Sequence, residues 1–245
     1  YDTPIVGYKN DVVNTLRLWS AEAVSNEFDF SSFSRGDFLQ AIEYKNSVEA
    51  ISQVLYPEDS FYKGKILRLK QEYFFVSAGV QSIVRHFKKH GGRIDELDEK
   101  IAIHINDTHP TLAIPELMRI LVDEEDLPWD VAWRVTTNTV SYTNHTILAE
   151  ALEKWPIDMF KSLLPRIYMI IEEINRRYCE ELWNKFQGQW QKISDMAILA
   201  DGQVRMAHLA IVGSHSVNGV AKLHTEILKK KVMSNFYYLY PNKFN

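Results

Sequence analysis

The chain has 245 residues, 46% of them hydrophobic and 24% charged, with a net charge of −4. Those proportions fit a globular protein with room for one large domain or two small ones, and the mild negative charge gives no reason to expect nucleic acid or an anionic membrane as a partner. One cysteine, Cys179, excludes an internal disulfide and fits a reducing, cytoplasmic compartment; no stretch approaches the length of a membrane span, and no signal-peptide pattern is expected.

The segment up to about Arg35 reads as irregular, with Val12, Leu16 and Trp19 marking a short strand or ordered stretch. From Gly36 to Leu55 the spacing of Phe38, Leu39, Ile42, Val48, Ile51 and Leu55 predicts a helix, broken by Tyr56-Pro57. Leu67, Tyr73, Val76, Val80, Ile83, Val84 and Phe87 form a longer helical stripe that Gly91-Gly92 ends. Ile101 to Ile105 reads as a buried parallel strand, and Leu112, Leu117, Ile120 and Leu121 as a helix with Pro115 in its first turn. Pro128 opens another helix, which runs into the strand-like Asn138 to Tyr142. Pro165 opens a long amphipathic helix with Ile167, Ile170, Ile171, Ile174, Tyr178 and Trp183 inward. Glu172–Arg176, Glu173–Arg177 and Glu181–Lys185 are its outer i,i+4 pairs. Met206 to Gly213 fits a helix or a strand, with the spacing slightly favouring helix, and Ser214 to Ala221 leads into a helix from Lys222 to Lys231. The basic runs Arg85–His90 and Lys229–Lys231 read as solvated helix ends. Neither chain end fades into polar, low-complexity sequence, so the chain is expected to be a piece of something longer.

Two polar clusters interrupt this pattern. Asn106-Asp-Thr-His109 follows one strand and Thr143-Asn-His-Thr146 follows another, each just ahead of a helix. Adjacent parallel strands would bring both to one sheet edge, where open α/β sheets bind ligands, and such donors and acceptors suit a hydroxyl-rich ligand. The plainer alternative is that Asp107 and Thr108 cap a helix while His109 fills space. A third is a metal set of His104, Asp107 and His109. His104 lies within the strand and points to a sheet face away from the loop, so no metal ligand is assigned. Gly219 allows either a close approach by a ligand or a tight strand-to-helix turn.

Asn14-Thr-Leu-Arg-Leu-Trp-Ser20, Val54-Leu-Tyr-Pro57, Leu67-Arg-Leu-Lys-Gln-Glu-Tyr-Phe74, Asn106-Asp-Thr-His-Pro110, Ile114-Pro-Glu-Leu-Met-Arg119, Tyr142-Thr-Asn-His-Thr146, Glu150-Ala-Leu-Glu153, Met206-Ala-His-Leu209 and Gly213-Ser-His-Ser-Val-Asn-Gly-Val-Ala221 together resemble the glycogen/starch/maltodextrin phosphorylases. The resemblance covers nearly the whole chain in order. It implies part of the N-terminal domain of a two-domain, GT-B-type α/β enzyme with a Rossmann-like parallel sheet and many helices. The family releases glucose 1-phosphate from the non-reducing end of α-1,4-glucans with inorganic phosphate, and its members are commonly homodimers. Its cofactor, pyridoxal phosphate, belongs to the C-terminal domain, so this chain is expected to lack the attachment lysine and to be inactive alone.

Carried over by motif, His145 matches the histidine over the transferred glucosyl unit. Asp107 and His109 match cleft residues on the acceptor side, with Asn106, Asn144 and Thr146 beside them. Val220 matches an apolar wall of the glucose pocket. Tyr56 to Phe61, including Asp59 and Ser60, matches the gate loop, and Arg68 follows it. Glu58-Asp59-Ser60 departs from the usual Asn-Asp-Asn. Arg85-His86 stands where AMP-regulated animal enzymes carry two arginines, so the fixed guanidinium fork is lost and AMP control is not expected. The alternatives are a non-catalytic glucan-binding module and a metal-dependent hydrolase using His104, Asp107 and His109.

Overall fold

A computed structural model describes residues 1–24 and 29–245, which form two compact units, 1–78 and 79–245. In the first, β1 (Asp2–Val6) and β2 (Val13–Arg17) make an antiparallel hairpin with Asp2 opposite Arg17. All ten of its residues are exposed, so no burial pattern announces it. Its turn is closed by Asn10 Oδ1 accepting from Val12 N at 2.9 Å rather than by a two-residue glycine turn. Both arms of an Arg17–Asp2 fork measure 2.7 Å.

Helices α1 (Phe30–Ser34) and α2 (Phe38–Gln53) begin on Asp29 and Asp37, whose carboxylates accept from Ser32 N and Gln40 N. Residues 25–28, part of the segment expected to be irregular, lie outside the described residues. α2 stops ahead of Tyr56-Pro57, as the sequence predicts. α3 (Tyr62–Lys89) starts before its apolar stripe and passes from the first unit into the second. Gly91, at φ 80, ends it, with Gly92 N donating to Phe87 O at 3.1 Å.

The second unit continues with α4 (Leu97–Lys100), β3 (Ile103–Asn106), α5 (Ala113–Arg119), α6 (Trp129–Thr139), β4 (Val140–Asn144), β5 (Lys154–Pro156), α7 (Ile157–Leu163) and α8 (Pro165–Lys185). There follow α9 (Trp190–Met196), β6 (Leu199–Ala200), β7 (Gln203–Arg205), α10 (Met206–Val212), β8 (Ser216–Gly219), α11 (Lys222–Ile227) and α12 (Ser234–Leu239). The result is a mixed α/β unit. β3, β4 and β8 form a parallel sheet in that order, while β5, β7 and β6 form a small antiparallel one. β3 begins two residues later than expected because Ile101 N closes α4 on Leu97 O at 2.9 Å. α6 likewise takes Asn138 and Thr139, so β4 runs Val140–Asn144. Met206–Val212 is helical.

Ile105, Val140, Tyr142 and Val217 of the parallel strands are buried, as are Ile114, Leu117 and Met118 of α5 and Ile167, Ile170, Ile171 and Ile174 of α8. α5 packs on α6 and α8. Each such aliphatic side chain stabilises by about 1.5–3 kcal/mol. Gly213 is required by this packing, since a Cβ there would sit 2.6 Å from Ile114 Cδ1. Glu116, fully buried, meets Arg119 in a fork of 2.8 and 2.9 Å, which gives the polar pair of the 114–119 block a structural role. No helix among the described residues is long and apolar enough to cross a membrane.

Three expectations for α8 are corrected. Trp183 is 37% exposed and stacks on Trp190 at 4.4 Å instead of entering the core, because Leu182, one position earlier, continues the buried stripe and Trp183 is turned about 100° away from it. Of the three outer pairs only Glu173–Arg177 forms, at 2.6 Å, and Arg176 turns to Glu173 and Glu180. Glu172 accepts instead from Tyr168 Oη, an i,i+4 partner on its other side, and Glu181 from Tyr240 Oη, 59 residues away and beyond the reach of any helical spacing.

His208 of α10 packs edge-on against Phe236 at 4.9 Å, its Nδ1 3.0 Å from Ala197 O. Burial lowers its pKa to about 4. The unfolded chain, with an ordinary value near 6.5, takes up a proton first as pH falls. The stability His208 contributes is therefore complete above about pH 6.5 and is lost as pH falls towards 4, by about 3 kcal/mol. Denaturant unfolding from pH 7 to 4.5 should show a shallower decline for His208→Gln than for the wild type; parallel declines would contradict the assignment.

Candidate functional site

The parallel pairing puts Asn106 opposite Thr143 and Asn144 opposite Gly219, so the segments leaving β3, β4 and β8 emerge at one sheet edge. One layer below that edge a line of polar side chains crosses all three strands. Ser141 Oγ lies 2.9 Å from His104 Nδ1, and His104 Nε2 lies 2.6 Å from Thr143 Oγ1. Thr143 Oγ1 donates to Asn218 Oδ1 at 2.9 Å. Because that hydroxyl proton is engaged, Thr143 accepts from His104 Nε2–H, and Nδ1 accepts from Ser141. Both ring nitrogens of His104 are thus engaged by β4, which takes it out of the ligand set with Asp107 and His109.

At the edge itself, Asp107 adopts φ 66, a left-handed conformation that aspartate tolerates. Its amide donates to Thr143 O at 2.9 Å, and its Oδ1 accepts from Thr108 N at 2.8 Å. Asp107 and Thr108 do not cap α5, whose N-cap is Leu112 with no side-chain hydrogen bond. Thr108 Oγ1 donates to Glu153 Oε2 at 2.5 Å, and Trp155 Nε1 donates to Glu153 Oε1 at 2.8 Å. His109 has one ring nitrogen 3.6 Å from Asp107 Oδ2 and the other 3.8 Å from Glu153 Oε2. The backbone ladder and Glu153 therefore hold this loop from opposite ends.

His145 Nε2 lies 2.7 Å from Asn106 Oδ1. The proton then sits on Nε2, which leaves Nδ1 as an acceptor on an exposed ring. Asn106, Asp107, His109 and His145 so come together, offering an amide, a carboxylate and two imidazoles. A group of that kind can bind several hydroxyls in fixed directions.

Three other residues carried over by motif are placed differently. Asn144 is only 1% exposed. Its Nδ2 donates to Tyr142 Oη at 2.8 Å, and its Oδ1 accepts from Thr146 N and faces His224 Nε2. With both ends of its amide engaged inside the fold, Asn144 orders the loop and does not face a ligand. Burial pushes the Tyr142 phenol well above its ordinary value, so it stays protonated. Thr146 Oγ1 accepts from Leu148 N at 3.3 Å. Val220, 57% exposed, follows the end of β8.

The gate-loop residues belong to the first unit. There Tyr56, at φ 57, carries the Arg68 guanidinium 4.2 Å over its ring. Arg68 Nε is 3.2 Å from Glu72 Oε1, Ser60 N donates to Glu58 Oε1 at 3.3 Å, and Asp59 and Ser60 are exposed. In the second unit a cavity of about 640 Å³ lined by Trp129, Trp133, Tyr178 and Ser214 lies elsewhere, beside Thr137 and Asn138 ahead of β4 and Ser214 and His215 ahead of β8.

Sequence reasoning passed over Glu153, Thr143, Asn218 and His224 as working parts. Thr143 and Asn218 sit inside strands, where only the register reveals that they meet. Glu153 falls in a block marked by resemblance alone. Glu153→Ala should leave the Thr108 hydroxyl and the Trp155 indole without their acceptor, costing about 1–3 kcal/mol in denaturant unfolding and shifting the Trp155 indole N–H resonance. Unchanged stability and an unmoved resonance would contradict this role.

The family model for carbohydrate phosphorylases matches residues 1–245. The glycogen phosphorylase of Bacillus subtilis is 56% identical over 245 residues, all of this chain and 30% of that protein. The muscle form of glycogen phosphorylase from Mus musculus is 53% identical, and the brain form from Rattus norvegicus 51% identical, each over 255 aligned positions with the same coverage. The chain thus spans about 30% of the length of these curated relatives.

Proposed function

This chain belongs to the carbohydrate phosphorylase family, and from that premise we propose that it is part of the N-terminal domain of a GT-B-type α-glucan phosphorylase, contributing one wall of its sugar-binding cleft. The protein that contains it releases glucose 1-phosphate from the non-reducing end of an α-1,4-glucan with inorganic phosphate. The observation that carries this reading is the convergence of Asn106, Asp107, His109 and His145 at the carboxyl ends of paired parallel strands.

The transition state at the glucosyl C1 has oxocarbenium character, so groups that fix the ring and tolerate positive charge contribute most. His145, its Nε2–H held by Asn106, presents a fixed acceptor to a sugar hydroxyl. Asp107 adds a carboxylate at the same edge, and His109 beside it is placed for the acceptor side of the linkage. Glu153 has both oxygens engaged by Thr108 and Trp155, so it does not form a free acid–base pair with Asp107 of the kind hydrolysis uses. Tyr56, Asp59, Ser60 and Arg68 serve as the gate in this reading.

Pyridoxal phosphate, when bound, supplies the phosphate group for proton transfer, and this reading assigns it to the C-terminal domain. Lys243, whose pKa burial lowers to about 8, fits that group poorly: it donates to Ile211 O and Val212 O at the end of α10, ahead of β8. The proposal also includes a cytoplasmic location and a homodimeric enzyme.

The test is phosphate-dependent release of glucose 1-phosphate from maltodextrin, with pyridoxal phosphate present. The enzyme carrying this chain should be active, His145→Ala should lower kcat/KM by about a hundredfold or more, and the 245-residue chain alone should be silent. A silent enzyme would favour a glucan-binding module, and turnover by the chain alone would refute the division of labour.

A further inference from the structure

The backbone pairing of β4 with β8 ends at Asn144 opposite Gly219. Beyond that pair lie two exposed residues of the candidate site, His145 on one segment and Val220 on the other. No ladder continues to fix their separation; one side chain bridges the gap. His224, on the first turns of α11 and 9% exposed, has its Nδ1 3.3 Å from Val220 N and its Nε2 3.2 Å from Asn144 Oδ1.

The chemistry of these two contacts selects one state of the ring. A backbone amide can only donate, so Nδ1 must carry the lone pair. The proton then sits on Nε2 and is donated to Asn144 Oδ1, which also accepts from Thr146 N at 3.0 Å. Asn144 is held from its other end by Tyr142 Oη. The bridge therefore runs from the Val220 backbone through one imidazole into the residue immediately before His145. Gly219 is part of the same device: a Cβ there would lie 2.6 Å from His224 Cγ and 2.9 Å from its Cβ. The ring occupies the space any larger residue would need, and Gly219 N is tied to Thr225 Oγ1 at 2.9 Å beside it. This answers the question left by the sequence, because Gly219 admits the protein's own histidine rather than a ligand.

We propose that His224 is a positioning residue that, as the neutral Nε2–H tautomer, sets the spacing between His145 and Val220 and thereby the width of the sugar pocket. The assignment of sugar to that pocket rests on the phosphorylase reading; the bridge itself does not. A bridge that shapes a binding pocket without touching the reacting atoms should act on sugar affinity more than on the chemical step.

Two measurements decide it. In the 15N-histidine-labelled protein at neutral pH, long-range 1H–15N correlations should show His224 with a protonated Nε2 and an unprotonated Nδ1; the opposite tautomer or a doubly protonated ring would overturn the bridge. In the enzyme carrying this chain, His224→Leu should raise KM for maltodextrin about tenfold or more while kcat falls less. His224→Gln, which retains a donor near the Nε2 position, should recover part of that loss. Wild-type KM in the leucine variant, or a glutamine variant no better than leucine, would overturn the positioning role. If His224→Leu fails to fold, the glutamine variant and the tautomer measurement still decide. Wild-type enzyme without phosphate-dependent turnover would count against the phosphorylase reading and against a sugar-pocket role for His224, while the tautomer would still test the bridge.

Discussion

The parallel register of β3 on β4, with Asn106 beside Thr143, is the constraint on which the rest of the second unit's site depends. Parallel strands end their side-chain rows together, so residues far apart in sequence leave the sheet at neighbouring points. A slip of one residue would send His104, Thr143 and Asn218 to the opposite face and put Ile105 and Tyr142 in their place. The line of hydrogen bonds through Ser141, His104, Thr143 and Asn218 opposes such a slip directly. Apolar burial of Ile105, Tyr142 and Val217 on the other side opposes it as well. Register is therefore fixed from both faces, and the Asn106–His109 segment and the exposed His145 inherit that rigidity.

Around this sheet edge, function and support are divided among neighbouring residues. Asn144 and His145 are adjacent in sequence, yet one is buried with its amide fully engaged while the other presents its ring outward. Thr108 and His109 divide in the same way, with Thr108 clamped by Glu153. Alternation at the end of β4 makes the first division possible, because successive side chains of a strand face opposite sides, and the turn after Asp107, at φ 66, makes the second. A polar run at a strand end therefore contains both the groups that can meet a ligand and the groups that hold them in place.

Much of this was legible in the sequence, for identifiable reasons. Helices α2, α3, α6 and α8 carry apolar periodicity with proline or glycine at their ends, and both polar clusters were visible as breaks in that pattern. The juxtaposition of the clusters followed from reading two strands as parallel neighbours. Of the exposed β1–β2 hairpin only the second strand was legible, from Val12 and Leu16, because the pair buries no face, and Trp183 was misplaced because the adjacent Leu182 takes the core position. Asn144 was assigned to the ligand although its amide is engaged inside the fold, and Glu153 and His224 were passed over because Thr108 and Asn144, which they contact, lie 45 and 80 residues away. The resemblance named the right family but could not separate residues that face a ligand from residues that orient them.

The central claim is that a glucan contacts the edge formed by Asn106–His109 and His145. Hydrogen–deuterium exchange of the enzyme carrying this chain, with and without saturating maltodextrin, tests it most directly. The account predicts slowed exchange of the backbone amides in 106–109 and 144–146 when sugar is bound. Bound sugar that leaves both segments unchanged while protecting amides elsewhere in the chain would contradict it.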